Sequence, residues 1–186
     1  GLGDVYKRQF KNTGCSFSLL KILNVIKSGF IYLNSDLIVS KSVMDTLYNI
    51  DHNDIIFLRK LKYKQETVLQ KVEEQGNKIL RMDLKLEKPY NAEAVGPAKF
   101  SNRARKYLIK KYNQLPTKLS NKIPCYSLFG YFAMENYLHG HYINDNQWLE
   151  VNTLEDYKKA KNNCPRVLYN WNIKIFEKNE IAVINI

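Results

Sequence analysis

Apolar residues recur at helical spacing over residues 16–27, where Phe17, Leu19, Leu20, Ile22, Leu23, Val25 and Ile26 share one broad face, with Ser16 as the expected N-cap and Gly29 just beyond. The period then changes. Phe30-Ile31-Tyr32-Leu33 is a continuous apolar run of strand length, and Ser40 stands where it would cap a second helix running to Asn49. The pattern predicts a strand over 54–59 and a hairpin over 65–84, pivoting on 74–77, where Gln75-Gly76-Asn77 supplies turn chemistry. A strand over 92–100 leads into a basic helix over 102–112, a polar, proline-bracketed loop over 113–124 and an aromatic-rich helix over 126–138. Short strands follow at 142–144 and 147–151, then a helix to Lys161 opened by the capping-box sequence Thr153-Leu154-Glu155-Asp156. Residues 167–186 predict two strands about a turn at 177–179. Alternating helices and strands with an inserted hairpin imply an α/β sandwich with a mixed sheet.

The length of 186 residues suits one domain. No apolar run approaches the ~18 residues that span a bilayer, so a soluble protein without membrane insertion is expected. Cys15, Cys125 and Cys164 are odd in number and lack CxxC spacing, which argues against a disulfide framework or a zinc knuckle and for a reducing, cytoplasmic setting. The net charge of +11 would attract nucleic acid, acidic membrane or phosphorylated small molecules without choosing among them. Much of it lies on residues 103–111, where Lys106, Lys110 and Lys111 alternate with Tyr107, Leu108 and Ile109, the pattern of a solvated helix face. Residues 1–9 continue into no recognisable pattern, resemble an adapter-derived scar and are set apart from the fold. The first residue is not Met, so a preceding portion of the natural protein is expected.

Three segments carry candidate chemistry. Asp36 lies just past the carboxyl end of a buried strand, the edge at which open α/β sheets bind ligands, and a carboxylate there can hold Mg²⁺; the plainer reading is a turn residue ahead of the Ser40 cap. Glu150 and Asn152 are two apart on a strand that runs into a capped helix, so both face the same space and either could complete a metal site; the plainer reading is a solvent-facing strand residue and a turn former. In Leu86-Glu87-Lys88-Pro89, Lys88 is a mobile point charge suited to a phosphate, and Gly96 in the following strand lets backbone approach a ligand closely. His139-Gly140-His141 is read as a surface loop pair, since no third ligand is near in sequence. Tyr126, Phe129, Tyr131, Phe132 and Tyr137 are read as core.

Taken in order, Ser35-Asp36, Glu87-Lys88-Pro89, Val95-Gly96-Pro97-Ala98-Lys99-Phe100-Ser101 and the segment from Trp148 to Asp156 resemble the motifs of nucleotidyltransferases that couple a nucleoside triphosphate to a sugar 1-phosphate or phosphocholine. The phosphocholine cytidylyltransferase-like branch is the nearest. Asn12-Thr13-Gly14-Cys15-Ser16 also resembles the segment whose backbone lies near the nucleotide base in that family, and the likeness covers roughly residues 11–161. The resemblance implies a Rossmann-like three-layer α/β/α sandwich of the nucleotide-diphospho-sugar transferase type, with a mixed sheet and incomplete at the N-terminus. It implies a domain over 10–163 without the family's glycine-rich phosphate loop, and a β extension over 164–186.

The roles it implies are specific. Asp36 would be the first Mg²⁺ ligand and Glu150 or Asn152 the second, with Asn152 standing where many relatives have Asp. Lys88 would neutralise the acceptor phosphate, Glu87 would contact a sugar or headgroup, Gly96 would lie against substrate, and Asn12, Thr13 and Gly14 would lie at the nucleotide. The expected partners are a nucleoside triphosphate and a phosphorylated small-molecule acceptor, not nucleic acid. The implied reaction is Mg-dependent nucleotidyl transfer with release of pyrophosphate, and this chain by itself is expected to be inactive. Two rivals remain in view. A GT-A-type glycosyltransferase also presents an acidic metal ligand at a strand end, although Asn34-Ser35-Asp36 has one acidic residue where Asp-x-Asp has two. A basic nucleic-acid-binding module would account for the charge and the 13 tyrosines.

Overall fold

The computed structural model describes residues 13–61, 68–163 and 181–185. Residues 1–9, Asn12 and the first of the two expected tail strands lie outside them.

Three strands organise the sheet: β1 (Gly29–Leu33), β3 (Ile55–Lys60) and the long β6 (Ala92–Phe100). Alternation along each strand sorts side chains to two faces. Phe30 and Tyr32 of β1, with Ile56 and Leu58 of β3, enter one core; Ile31 and Leu33, with Ile55 and Phe57, enter the other. The first core is covered by α1 (Cys15–Val25), α3 (Asn102–Gln114) and α5 (Cys125–Glu135), through residues such as Leu19, Leu23, Leu108, Phe129 and Phe132. The second is covered by α2 (Lys41–Asn49), through Val43, Met44 and Leu47. The result is the three-layer α/β/α arrangement with a mixed sheet. An aromatic knot locks the larger core: the Phe100 ring centroid is 5.1 Å from that of Phe30 and 4.6 Å from that of Phe129. Each such fully buried ring contributes about 1.5–3 kcal/mol relative to exposure.

Strand β6 runs antiparallel to β1 and to β3. Its first residues also pair with β4 (Lys71–Gln75), which forms a hairpin with β5 (Lys78–Asp83). Gly76 and Asn77 turn that hairpin with φ of 58° and 64°, at the position where the sequence placed turn chemistry. Strand β7 (His139–Tyr142) lies parallel to β3, and β9 (Ile181–Asn185) lies parallel to β1, so the second tail strand joins the main sheet. A separate two-stranded ribbon pairs β2 (Leu37–Val39) with β8 (Trp148–Glu150). The Ser40 hydroxyl caps α2 by accepting from Val43 N at 3.4 Å, as expected. Thr153 and Asp156 cap the last helix, α6 (Leu154–Asn163), reciprocally.

Several expectations are corrected. Gly14, not Ser16, is the N-cap residue of α1; Ser16 is buried and its hydroxyl donates to the Ile123 carbonyl, because the helix starts against the 121–123 segment rather than against water. The 113–124 loop contains a short helix, α4 (Thr117–Ser120), opened by Pro116. His139-Gly140-His141 is strand rather than loop, since β3 supplies a pairing edge that composition does not reveal. His52 stacks on His139 with centroids 3.9 Å apart, yet the described residues contain no group of three or more His, Cys, Asp or Glu side chains arranged to hold a metal. The basic helix α3 is amphipathic as expected: Lys106 and Lys110 are exposed and Lys111 pairs with Glu135 at 2.9 Å. Among the described residues no helix is long and apolar enough to cross a membrane.

Candidate active site

Asp36 is delivered by the turn that follows β1, and what fixes it is the β2–β8 ribbon. Leu37 pairs with Glu150, Ile38 with Leu149 and Val39 with Trp148, and Val151 N donates to the Asp36 carbonyl at 2.8 Å. A 3₁₀ turn (Asp145–Gln147) leads into β8 and is itself tied to the start of α2, with Ser40 N donating to Gln147 O at 2.8 Å and Gln147 Nε2 to Ser42 Oγ at 3.2 Å. Two acidic residues 114 positions apart in the chain, 150 − 36, therefore become neighbours through backbone pairing alone.

The electrostatics register this proximity. The Glu150 carboxyl is pushed above the ordinary carboxylate range, first by burial and then by the Asp36 charge, with smaller contributions from Glu93 and Asp156; a hydrogen bond with Asn152 opposes the shift. The Tyr126 hydroxyl is held far above its usual value by burial, and the negative charges of Glu150 and Asp36 contribute. Asp36, Glu150 and Asn152 thus lie together, all with oxygen donors, near the wall that Tyr126 forms.

Beside them is a small cleft lined by Asn34, Gln70, Glu93, Tyr126, Trp148 and Glu150 among others. Its floor is the β6 segment from Glu93 to Val95. Glu93 is buried and fully committed: Arg59 Nε donates to it at 2.6 Å and Leu69 N at 2.9 Å. Four other lining side chains carry polar atoms that are buried without a hydrogen-bond partner: Asn34 Oδ1, Gln70 Oε1, Tyr126 Oη and Trp148 Nε1. Asn34 lies close enough to Tyr126 to favour its ionised form, but outside hydrogen-bond geometry. Unpaired buried polar groups cost about 1–3 kcal/mol each, so these four atoms are available to water or to a ligand that enters the cleft.

The remaining expected site residues are placed differently. Gly96 adopts φ +115° in β6, and a side chain there would strike Leu37, so its bareness makes room for β2. Glu87 and Lys88 are exposed on the connection between β5 and β6 and do not line the cleft. Thr13 and Gly14 stand at the start of α1, where Gly14 N donates to Asn121 O at 2.6 Å. Sequence reasoning missed Asn34, Gln70 and Glu93 as cleft residues and assigned Tyr126 to the core alone. Tyr126 is in fact both, 4% exposed yet lining the cleft. The available signal was a single acidic residue, Glu93, inside a largely apolar β6, and the fold places Arg59 of β3 and Lys71 of β4 opposite it.

No family model and no curated protein matches this sequence. Solved structures do match its fold. The chain is similar to a Bacillus anthracis protein assigned as a glucose-1-phosphate thymidylyltransferase and solved with a sucrose, at TM-score 0.63 and 13% identity over 87% of this chain and 71% of that one. It is similar to the inositol-1-phosphate CTP transferase of T. maritima at TM-score 0.63 and 13% identity, over 84% of this chain and 64% of that one. It is similar to a UDP-glucose pyrophosphorylase complexed with UDP-glucose at TM-score 0.63 and 14% identity, over 81% of this chain and 61% of that one. The chain therefore has the fold of the sugar-phosphate nucleotidyltransferases and spans about two thirds of the length of these proteins.

Proposed function

We propose that the chain is the greater part of a Mg²⁺-dependent nucleotidyltransferase that moves a nucleoside monophosphate from a nucleoside triphosphate to a phosphorylated acceptor, releasing pyrophosphate. The observation that carries this reading is the proximity of Asp36 and Glu150, which follows from the pairing of Leu37 with Glu150 in the β2–β8 ribbon past the carboxyl end of β1 and beside a polar cleft. In open α/β sheets this is the edge where ligands bind. The donor set of two carboxylates and the Asn152 carboxamide fits a hard cation, which takes oxygen ligands and retains positions for water and phosphate. Burial raises the Glu150 pKa and the Asp36 charge adds to it, and a bound cation would offset that repulsion.

When bound there, Mg²⁺ would supply charge neutralisation for the reacting phosphates. The chain's own residues would position the acceptor, whose phosphate oxygen attacks the α-phosphorus in line while the bond to pyrophosphate breaks. No side-chain nucleophile is needed, because positioning and electrostatics carry such a reaction. Lys88 is the proposed neutraliser of the acceptor phosphate, Glu87 the proposed contact to its sugar or headgroup, and Thr13 with Gly14 the proposed contact to the nucleotide; Asn12, outside the described residues, belongs to the same proposed contact. A whole enzyme would also need a phosphate-binding loop for the triphosphate, so the chain by itself is proposed to be inactive, in a cytoplasmic setting.

The cleft's chemistry favours a sugar or polyol phosphate over phosphocholine. Asn34 Oδ1 and Gln70 Oε1 need donors, Trp148 Nε1 needs an acceptor and Tyr126 Oη can use either, and hydroxyl groups provide both. A trimethylammonium group provides neither and would leave all four unpaired.

The test is turnover. Expressed with whatever coding sequence precedes Phe10 in its source, the protein should release pyrophosphate from a nucleoside triphosphate only with Mg²⁺ and a phosphorylated acceptor, and hexose 1-phosphates should exceed phosphocholine. Asp36→Ala should reduce the rate by at least about a thousandfold, the scale of losing a principal electrostatic contact to the transition state. Undiminished turnover in that variant removes Asp36 from the mechanism.

A further inference from the structure

Cys15 and Cys125 are 110 positions apart in sequence and adjacent in space. Each is the first residue of its helix, Cys15 of α1 and Cys125 of α5. The Cys125 backbone N–H donates to Cys15 Sγ at 3.2 Å, so the Cys15 sulfur already lies within reach of the Cys125 side chain. Residue 15 is exposed at the helix start with its sulfur turned inward, whereas Cys125 is 0% exposed. The surrounding seam is closed on both sides. Gly14 N donates to Asn121 O at 2.6 Å, and the Ser16 hydroxyl donates to Ile123 O. A bond between the two sulfurs would therefore join helix ends that the fold already holds together.

The two thiols differ in the way such a reaction requires. A hydrogen bond from the Cys125 thiol is the chief cause bringing the Cys15 pKa down to about 6; burial opposes it, and the N–H groups of Cys125, Ser16 and Cys15 itself add to it. Burial pushes the Cys125 thiol well up. At neutral pH the pair is a thiolate receiving an S–H donor, and the thiolate is the reactive form.

We propose that Cys15 and Cys125 form an oxidant-reactive dithiol, in which Cys15 reduces hydrogen peroxide and Cys125 resolves the product into a disulfide. In the first step the Cys15 thiolate attacks one peroxide oxygen, the O–O bond breaks, and Cys15 becomes a sulfenic acid as hydroxide leaves and takes up a proton. In the second, Cys125 sulfur displaces the sulfenic hydroxyl, its proton leaving with that hydroxyl as water. Overall two thiols are oxidised and one peroxide is reduced to two waters. The bridge would form between Thr13-Gly14, ahead of Cys15, and Tyr126, which follows Cys125 and lines the cleft. The proposal does not depend on what the cleft binds.

The full chain, reduced and then exposed to a small excess of hydrogen peroxide, should lose two hydrogens in mass and give, after blocking and digestion without reductant, a peptide joining Cys15 to Cys125. Dithiothreitol should reverse this, and Cys164→Ser should leave it unchanged. Cys125→Ser, which keeps a side-chain donor beside Cys15, should halt at a Cys15 sulfenic acid that dimedone traps, while Cys15→Ala should leave Cys125 unmodified under the same exposure. If Cys125→Ser does not fold, the wild-type peptide map decides by itself. Cys15 over-oxidised to sulfinic acid with Cys125 still free, or joined to Cys164 instead, overturns the proposal.

Discussion

Replacing Glu150 by Gln should make this protein more stable in the absence of divalent cations. Glu150 pairs with Leu37, the residue after Asp36, in the β2–β8 ribbon, and its carboxyl is held above the ordinary range by burial and by the Asp36 charge. Two carboxylates a few ångströms apart repel by at most about 4 kcal/mol at an effective dielectric constant of about 20, and solvent screening of a partly exposed pair reduces this to about 1 kcal/mol. In a chain of 186 residues, relief of about 1 kcal/mol raises Tm by about 2–4 °C. The direction with pH follows from linkage. A carboxyl whose pKa is raised in the folded state favours folding most when protonated, below its unfolded value, and that contribution is lost as pH rises through the raised value. The gain from Glu150→Gln should therefore be full at pH 7 and vanish in acid, where the wild-type residue is also neutral. The assay is thermal unfolding of both proteins in chelator at pH 7 and near pH 4, with Asp36→Asn and the double variant alongside. Coupling of the two charges predicts that the double variant gains less than the sum of the single ones. A Glu150→Gln protein that is less stable at pH 7, or equally improved at both pH values, would refute the reasoning.

Arg59→Met should cost about 3–5 kcal/mol, because it strands the buried Glu93 carboxylate, whose Oε2 the guanidinium Nη2 approaches at 2.5 Å with both side chains nearly buried. Urea unfolding measures it, a loss below about 1 kcal/mol contradicts it, and adding Glu93→Met should recover part of the loss. Gly96→Ala should destabilise by about 1–3 kcal/mol, since it strains a φ of +115° and drives a methyl into Leu37. By displacing β2 it should also weaken any Mg²⁺-dependent rise in Tm, and a variant that keeps both wild-type stability and the Mg²⁺ response would show that Leu37 does not position Asp36.

The legible parts of the fold were those in which local chemistry and periodicity agreed. Ser40 caps α2, Gly76 and Asn77 turn the hairpin, β6 occupies residues 92–100 as read, and Thr153 with Asp156 opens α6. Elsewhere the local signal was outvoted. Ser16 has the chemistry of a cap but is drawn into the core by the Ile123 carbonyl, and His139-Gly140-His141 becomes a strand because β3 offers it an edge. The same division runs through the site. Asp36 past a strand end and Glu150 on a strand could be singled out because strand geometry fixes direction two residues at a time, whereas Asn152, expected on the same strand face, lies past the end of β8 at Glu150.

What the sequence determined by itself was therefore the inventory: which residues form strands and helices, and which carboxylates end at a sheet edge. Tertiary structure alone decided their company. It paired Leu37 with Glu150, committed Glu93 to Arg59, and made Tyr126 a wall of the cleft as well as a core residue. The reason is physical. Propensity and periodicity act over a few residues, whereas charge repulsion, burial and unpaired polar atoms are properties of distance in space, which a linear chain acquires only when distant strands pair.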